Sequence, residues 1–98
     1  MAGLRFEWNT VKATANIRKH GVSFREARSV FYDETARLID DPVHSDSEPR
    51  FVLLGQSFAG RVLVVHHTVL AHGRVIRLIS ARRATRAERT HYERRRQP

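Results

Sequence analysis

Residues 50–82 read RFVLLGQSFAGRVLVVHHTVLAHGRVIRLISAR, and this stretch decides the fold. Three segments rich in Val, Leu and Ile, at 50–57, 61–69 and 74–82, are separated only by FAG and LAHG. Short connections containing glycine favour antiparallel hairpins over crossovers, so the segments read as consecutive strands of one sheet. Upstream, ARLIDDPVHSDSEPR at 36–50 is a short strand running into an acidic loop, where Pro42 and Pro49 exclude a regular element between them. Farther back, NTVKATANIRKHG at 9–21 carries strong helix formers and Gly21 as a left-handed stop. Its apolar residues at 11, 13, 15 and 17 also alternate as in a strand, and helix is the assignment adopted. Ser23 and Glu26 have the capping-box spacing, in which each side chain satisfies a free backbone N–H, and Phe24, Ala27, Val30 and Phe31 follow as an apolar stripe.

The opening GLRFEWNT is a possible strand with Phe6 and Trp8 on one side and Glu7 on the other, Trp8 reading as a core anchor. At the far end Thr85 and Glu88 form a second capping box that opens RAERTHYERRR, a helix ending in an arginine run. The predicted fold is therefore α+β: two N-terminal helices and a C-terminal helix packed on one side of a three- or four-stranded antiparallel sheet. With 98 residues, no repeats and no linker, residues 1–98 are expected to form a single domain.

The net charge of +8, from 18 Lys and Arg against 10 Asp and Glu, sets up a positive potential that attracts anions. Nucleic acid is the commonest partner of that kind, with an acidic protein or an anionic membrane behind it. The absence of cysteine excludes disulfides, thiolate metal sites and a thiol nucleophile. No apolar run approaches a membrane span and no secretory signal opens the chain, so a soluble cytoplasmic protein is expected.

The basic residues concentrate at the end, with seven arginines against two glutamates from Arg82 to Arg96. Arg94, Arg95 and Arg96 read as a solvated tail, whereas Arg82 and Arg83 fall where the last strand meets the last helix and can hold a phosphate. His66 and His67 are neighbours on a strand, so their side chains point to opposite faces and do not share one metal. No histidines show helical i, i+4 ligand pairing, and the acidic loop with Asp40, Asp41, Asp46 and Glu48 matches no calcium spacing, so neither metal nor cofactor is expected. No nucleophile elbow surrounds a serine and no glycine loop cradles a phosphate. RNA cleavage needs neither: the 2′-hydroxyl is the nucleophile, and the protein supplies a base, an acid and cations for the phosphate. By composition an inert nucleic-acid-binding module fits equally well. Lys19 and His20, just before Gly21, read either as a cationic helix end or as one corner of a site.

Three segments carry a resemblance to a known family: FEWNTVKATANIRKHGVSFREARSVFYDE, DDPVHSDSEPRFVLLGQS and ISARRATRAERTHYE. In this order they resemble the BrnT family of ribonuclease toxins from bacterial type II toxin-antitoxin pairs, over about Phe6 to Glu93. Asn9 departs from the aspartate usual after the tryptophan, yet it can still cap the first helix. The resemblance implies a RelE-like fold, metal-independent RNA cleavage without a cofactor, and inhibition of translation and growth. It implies neutralisation by a BrnA-like antitoxin of ribbon-helix-helix type, with promoter DNA bound only through the toxin-antitoxin complex and no membrane partner. On the matched positions it implies Lys19 as a phosphate ligand, His20 as the proton-transfer group and Arg82 as the stabiliser of the transition state. Arg83 is an implied substrate ligand, Ser80 either a phosphate ligand or a plain sheet residue, Arg50 either a substrate ligand or half of a surface ion pair, and Tyr92 either buried against the sheet or stacking on a base, with His44 and Glu48 weaker candidates. The alternative is a non-catalytic nucleic-acid-binding module or an antitoxin-binding subunit acting in autoregulation.

Overall fold

A computed structural model describes residues 3–40 and 49–96. The chain forms β1 (Arg5–Glu7), α1 (Thr10–His20), α2 (Phe24–Ser29), a 3-10 turn (Val30–Tyr32), β2 (Arg37–Asp40), β3 (Phe51–Gln56), β4 (Val62–Leu70), β5 (Val75–Arg83) and α3 (Arg86–Arg96). The acidic loop with Asp41, His44, Asp46 and Glu48 lies outside the described residues.

The three apolar segments pair as antiparallel strands, as their short connections require, and β2 joins antiparallel to β3. Two features correct the expected sheet. It has five strands in the order β1-β5-β4-β3-β2, and β1 lies parallel to β5, with Phe6 opposite Ile76. A parallel neighbour requires a long connection, and here the rest of the chain supplies it. The helices also do not share one side. Val22, Phe24, Ala27 and Val30 of the α2 segment pack on Leu53, Leu63, Val65, Leu78 and Ala81, while Tyr92 of α3 packs on Val52, Leu54 and Val64. These strand residues alternate in sequence, so the two clusters occupy opposite faces.

Local caps follow the sequence. Asn9 Oδ1 accepts from Lys12 N–H at 3.0 Å, so asparagine does cap α1. Gly21 closes that helix with φ +69°, and its N–H donates to the Ile17 carbonyl at 2.8 Å. Arg18, Lys19 and His20 fill the last turn, where the helix dipole favours cations. Of the first capping box only the Ser23 half forms, because Glu26 turns to Ser57 and Arg61 instead. The second is complete: Thr85 N–H donates to Glu88 at 2.7 Å and Glu88 N–H to Thr85 Oγ1 at 3.2 Å.

Buried Asn16 fixes α1 against the edge of β5. Its amide donates to the carbonyls of Val22 and Ala81 at 2.9 and 2.8 Å, and its oxygen accepts from Ala81 N–H at 3.1 Å. The side chain takes the place of a strand partner where β1 has ended. Among the described residues no helix is long and apolar enough to cross a membrane.

Candidate reaction centre on the sheet

A break in the β4–β5 ladder decides where the polar residues point. His66 pairs with Ser80 but His67 pairs with Leu78, leaving Ile79 as an extra residue in β5. Such a bulge shifts the alternation of the strand by one. Ile76 and Leu78 face the α2 core before it, and Ala81 faces that core after it. Ser80 and Arg82 are thereby turned to the α3 side, which an unbroken strand would have assigned to Ala81.

On this side His66 stands opposite Ser80 and Val64 opposite Arg82. Directly paired Cβ atoms lie about 5 Å apart and diagonal neighbours about 7 Å, so the imidazole, hydroxyl and guanidinium share one patch. All three residues are half-buried. The alternation that makes Phe51 face His67 on the other side sets Arg50 on the same side as Val52, the partner of His66.

Glu88 of α3 holds Arg82 in place. The two Nη groups donate to the two carboxylate oxygens at 2.9 and 3.0 Å, a planar fork. This hydrogen bonding, helped by Thr85, pulls the Glu88 pKa down to about 2 against the desolvation that raises it. The Arg82 pKa is raised by the same partner. Both side chains remain about a third exposed, at 36% and 33%, so the guanidinium is oriented yet open to a further acceptor. His91, three residues past Glu88, borders a cavity of about 240 Å³ with Val52, Leu54 and Val64, and contacts Arg37. Val52, the ladder partner of His66, lines that cavity too.

The other expected site residues are distributed differently. Arg83 alternates away from Arg82, and its charge assists Arg61 in holding the Glu26 carboxyl below its usual range. Arg61 Nη2 also donates to the Gly21 carbonyl at 3.1 Å, tying the α1–α2 turn to the β3–β4 turn. His20 continues the Ala13–Asn16 stripe of α1 along the β5 edge, whereas Lys19 is exposed and finds its place in the cationic helix end. Lys19 and His20 thus lie at the end of α1 beside the β5 edge, and Arg82 on the α3 side of β5. Tyr92 takes the buried alternative of its two expected roles: it is 1% exposed and its hydroxyl bonds to Asp33 and Thr35, leaving no ring face for a base. Burial pushes the Asp33 pKa up, but donors from Gln56, Tyr92 and Thr35 outweigh it and hold the group below its usual value.

A family model described as ribonuclease toxin, BrnT, of type II toxin-antitoxin system matches residues 8–88. The chain belongs to the BrnT toxin family. The fold is similar to that of the Brucella abortus ribonuclease toxin BrnT in its crystal structure, with a TM-score of 0.66 and 19% identity over 85% of this chain and 99% of that one. A comparison with curated proteins gives no match. The BrnT span ends at Glu88, so it contains His66, Ser80, Arg82 and the carboxylate that orients Arg82. Sequence reasoning missed His66 and His91 as members of this patch. Strand alternation separated His66 from His67 but did not say which histidine faces outward; only the bulge and the position of α3 decide that.

Proposed function

We propose that this BrnT-family chain is a metal-independent endoribonuclease whose reaction centre is the α3 face of the sheet. The observation that carries this reading is the bulge, which gathers His66, Ser80 and Arg82 on one half-open patch. The 2′-hydroxyl of RNA attacks the adjacent phosphorus and the bond to the 5′-oxygen breaks, leaving a 2′,3′-cyclic phosphate and a 5′-hydroxyl. His66 and His91 are the proton-transfer pair, one accepting the 2′-hydroxyl proton and the other returning a proton to the departing oxygen. Arg82, pre-oriented by Glu88, meets the charge growing on the phosphate, Ser80 donates to a non-bridging oxygen, and Arg50 binds the flanking backbone.

In this reading residues 1–98 act as one RelE-like domain in the cytoplasm, with no cofactor and no membrane partner. Free toxin arrests translation and growth. A ribbon-helix-helix antitoxin neutralises it by covering the basic face, and promoter DNA is reached only through that complex. Purified protein with RNA in EDTA should yield fragments ending in 2′,3′-cyclic phosphate. Intact RNA, with or without ribosomes, would overturn the enzyme assignment in favour of a binding module. A second reading keeps His20 as the proton-transfer group, because its stripe on α1 leads from the Asn16 anchor toward Arg83. In that case His20→Ala, and not His66→Ala, abolishes cleavage.

A further inference from the structure

On the opposite side of the molecule a groove of about 880 Å³ runs beside α2, lined by Trp8, Arg25, Arg28, Ser29, Tyr32 and Phe58. Its rings are unusually open, with Phe58 70% and Tyr32 62% exposed. Their backbone anchors are well held. Phe58 sits on the β3–β4 turn, where its N–H donates to Ser29 Oγ at 2.9 Å, Ser57 Oγ donates to Glu26 at 2.6 Å and Gly60 N–H donates to the Ser57 carbonyl at 2.9 Å. Tyr32 lies against Phe6, with ring centroids 6.3 Å apart, and the Arg28 guanidinium sits 5.6 Å over the same Phe6 ring. Among the described residues no carboxylate lines the groove.

Open rings interleaved with guanidinium groups are the chemistry that holds single-stranded nucleic acid, since every base has a face to stack and every phosphate a charge to neutralise. The groove also connects to the proposed centre. Below the same turn a second cleft of about 320 Å³ is lined by Gly60, Arg61, Arg83 and Arg89, with Glu93 as its one acidic member among the described residues. Arg83 follows Arg82 directly, so cations run from the reaction face around the end of the sheet to Phe58.

We propose that the Phe58–Tyr32 groove is a stacking subsite for an unpaired base of the RNA, several nucleotides from the bond that is cut. It rests on the ribonuclease reading for its substrate. The test uses the full chain with a short labelled 2′-O-methyl oligoribonucleotide, which cannot be cleaved, and an abasic oligonucleotide of the same length. The chain has a single tryptophan, Trp8, and it borders the groove, so its fluorescence reports on stacking. The oligoribonucleotide should quench Trp8, and Phe58→Ala or Tyr32→Ala should weaken binding by about 5- to 100-fold, with Phe58→Tyr restoring it. The abasic strand should leave Trp8 unquenched and bind all variants alike. Equal affinity of wild type and both alanine variants for the oligoribonucleotide overturns the proposal, as does equal quenching by the abasic strand. Loss of antitoxin binding with RNA affinity intact also overturns it and makes the groove a protein-docking surface. The two readings fail separately: wild type that binds with quenching but leaves ordinary RNA intact overturns only the enzyme, and cleavage with no effect of the ring variants overturns only the subsite.

Discussion

His66 and His67 are adjacent in the chain and meet opposite surroundings. His67 is 2% exposed, between the Phe31 ring at 4.8 Å and the Phe51 ring at 5.9 Å. Burial pushes its pKa down, and the Val65 carbonyl offsets this only in part. His66 lies half-buried across from Ser80, on the side where α3 covers the sheet incompletely. One face of the sheet thus converts its polar groups into structure, through His67, Asn16 and the Glu26–Arg61 pair. The other also ties up Tyr92 with Asp33 and Thr35, and Arg82 with Glu88, yet leaves His66, Ser80 and Arg82 half-buried and not fully enclosed. Residue type alone does not separate a buried histidine from one left half-open; the face and its cover do.

The largest expected effect distinguishes the two arginines of the β5 end. Arg82→Ala should reduce RNA cleavage by about 100- to 1,000-fold with the thermal midpoint little changed, while Arg83→Ala lowers affinity without that loss of rate. Kinetics at saturating RNA separate the two outcomes. On the structural face, Asn16→Ala removes three hydrogen bonds from a buried site and should cost about 2–3 kcal/mol in a denaturant titration. Glu26→Gln breaks the ion pair with Arg61 and should cost about 1–2 kcal/mol, since Arg61 is 30% exposed.

A smaller effect concerns acid. Because the folded pKa of His67 lies below its unfolded value of about 6.5, the unfolded chain takes up the proton first, and stability present above that pH falls as the pH drops through it. The thermal midpoint should therefore decline from about pH 7 to pH 5, and His67→Leu should flatten this decline. Below about pH 4.5 a second loss begins, when Glu26 and Glu88, whose folded pKa values are lowered, are protonated preferentially in the unfolded chain. The smallest effect belongs to the surface pair of Arg77 and Glu7, both nearly half exposed: Arg77→Ala should change stability by under about 0.5 kcal/mol.

Much of this architecture was legible in the chain. The hairpins of residues 50–82, the Gly21 stop and the Thr85–Glu88 box each follow from local chemistry, and the structure contains all three. What was not legible depends on long-range partners. The alternation of Phe6, Glu7 and Trp8 marks β1 as a strand, but its parallel place beside β5 is set by tertiary packing. Glu26 had the spacing of a cap but found a stronger partner in Arg61, which lies 35 residues away. The site divided for the same reason. Arg82 and Arg83 read as one basic junction, yet successive strand residues face opposite ways, and Ile79 determines which of them meets α3.

The most direct test compares three variants, His66→Ala, Arg82→Ala and His20→Ala, in one assay of labelled RNA with EDTA present. With the reaction centre on the α3 face, the first two lose at least about 100-fold in cleavage rate and the third stays within a few-fold of wild type. Full activity in His66→Ala together with loss in His20→Ala would contradict the assignment and move the chemistry to the β5 edge beside α1.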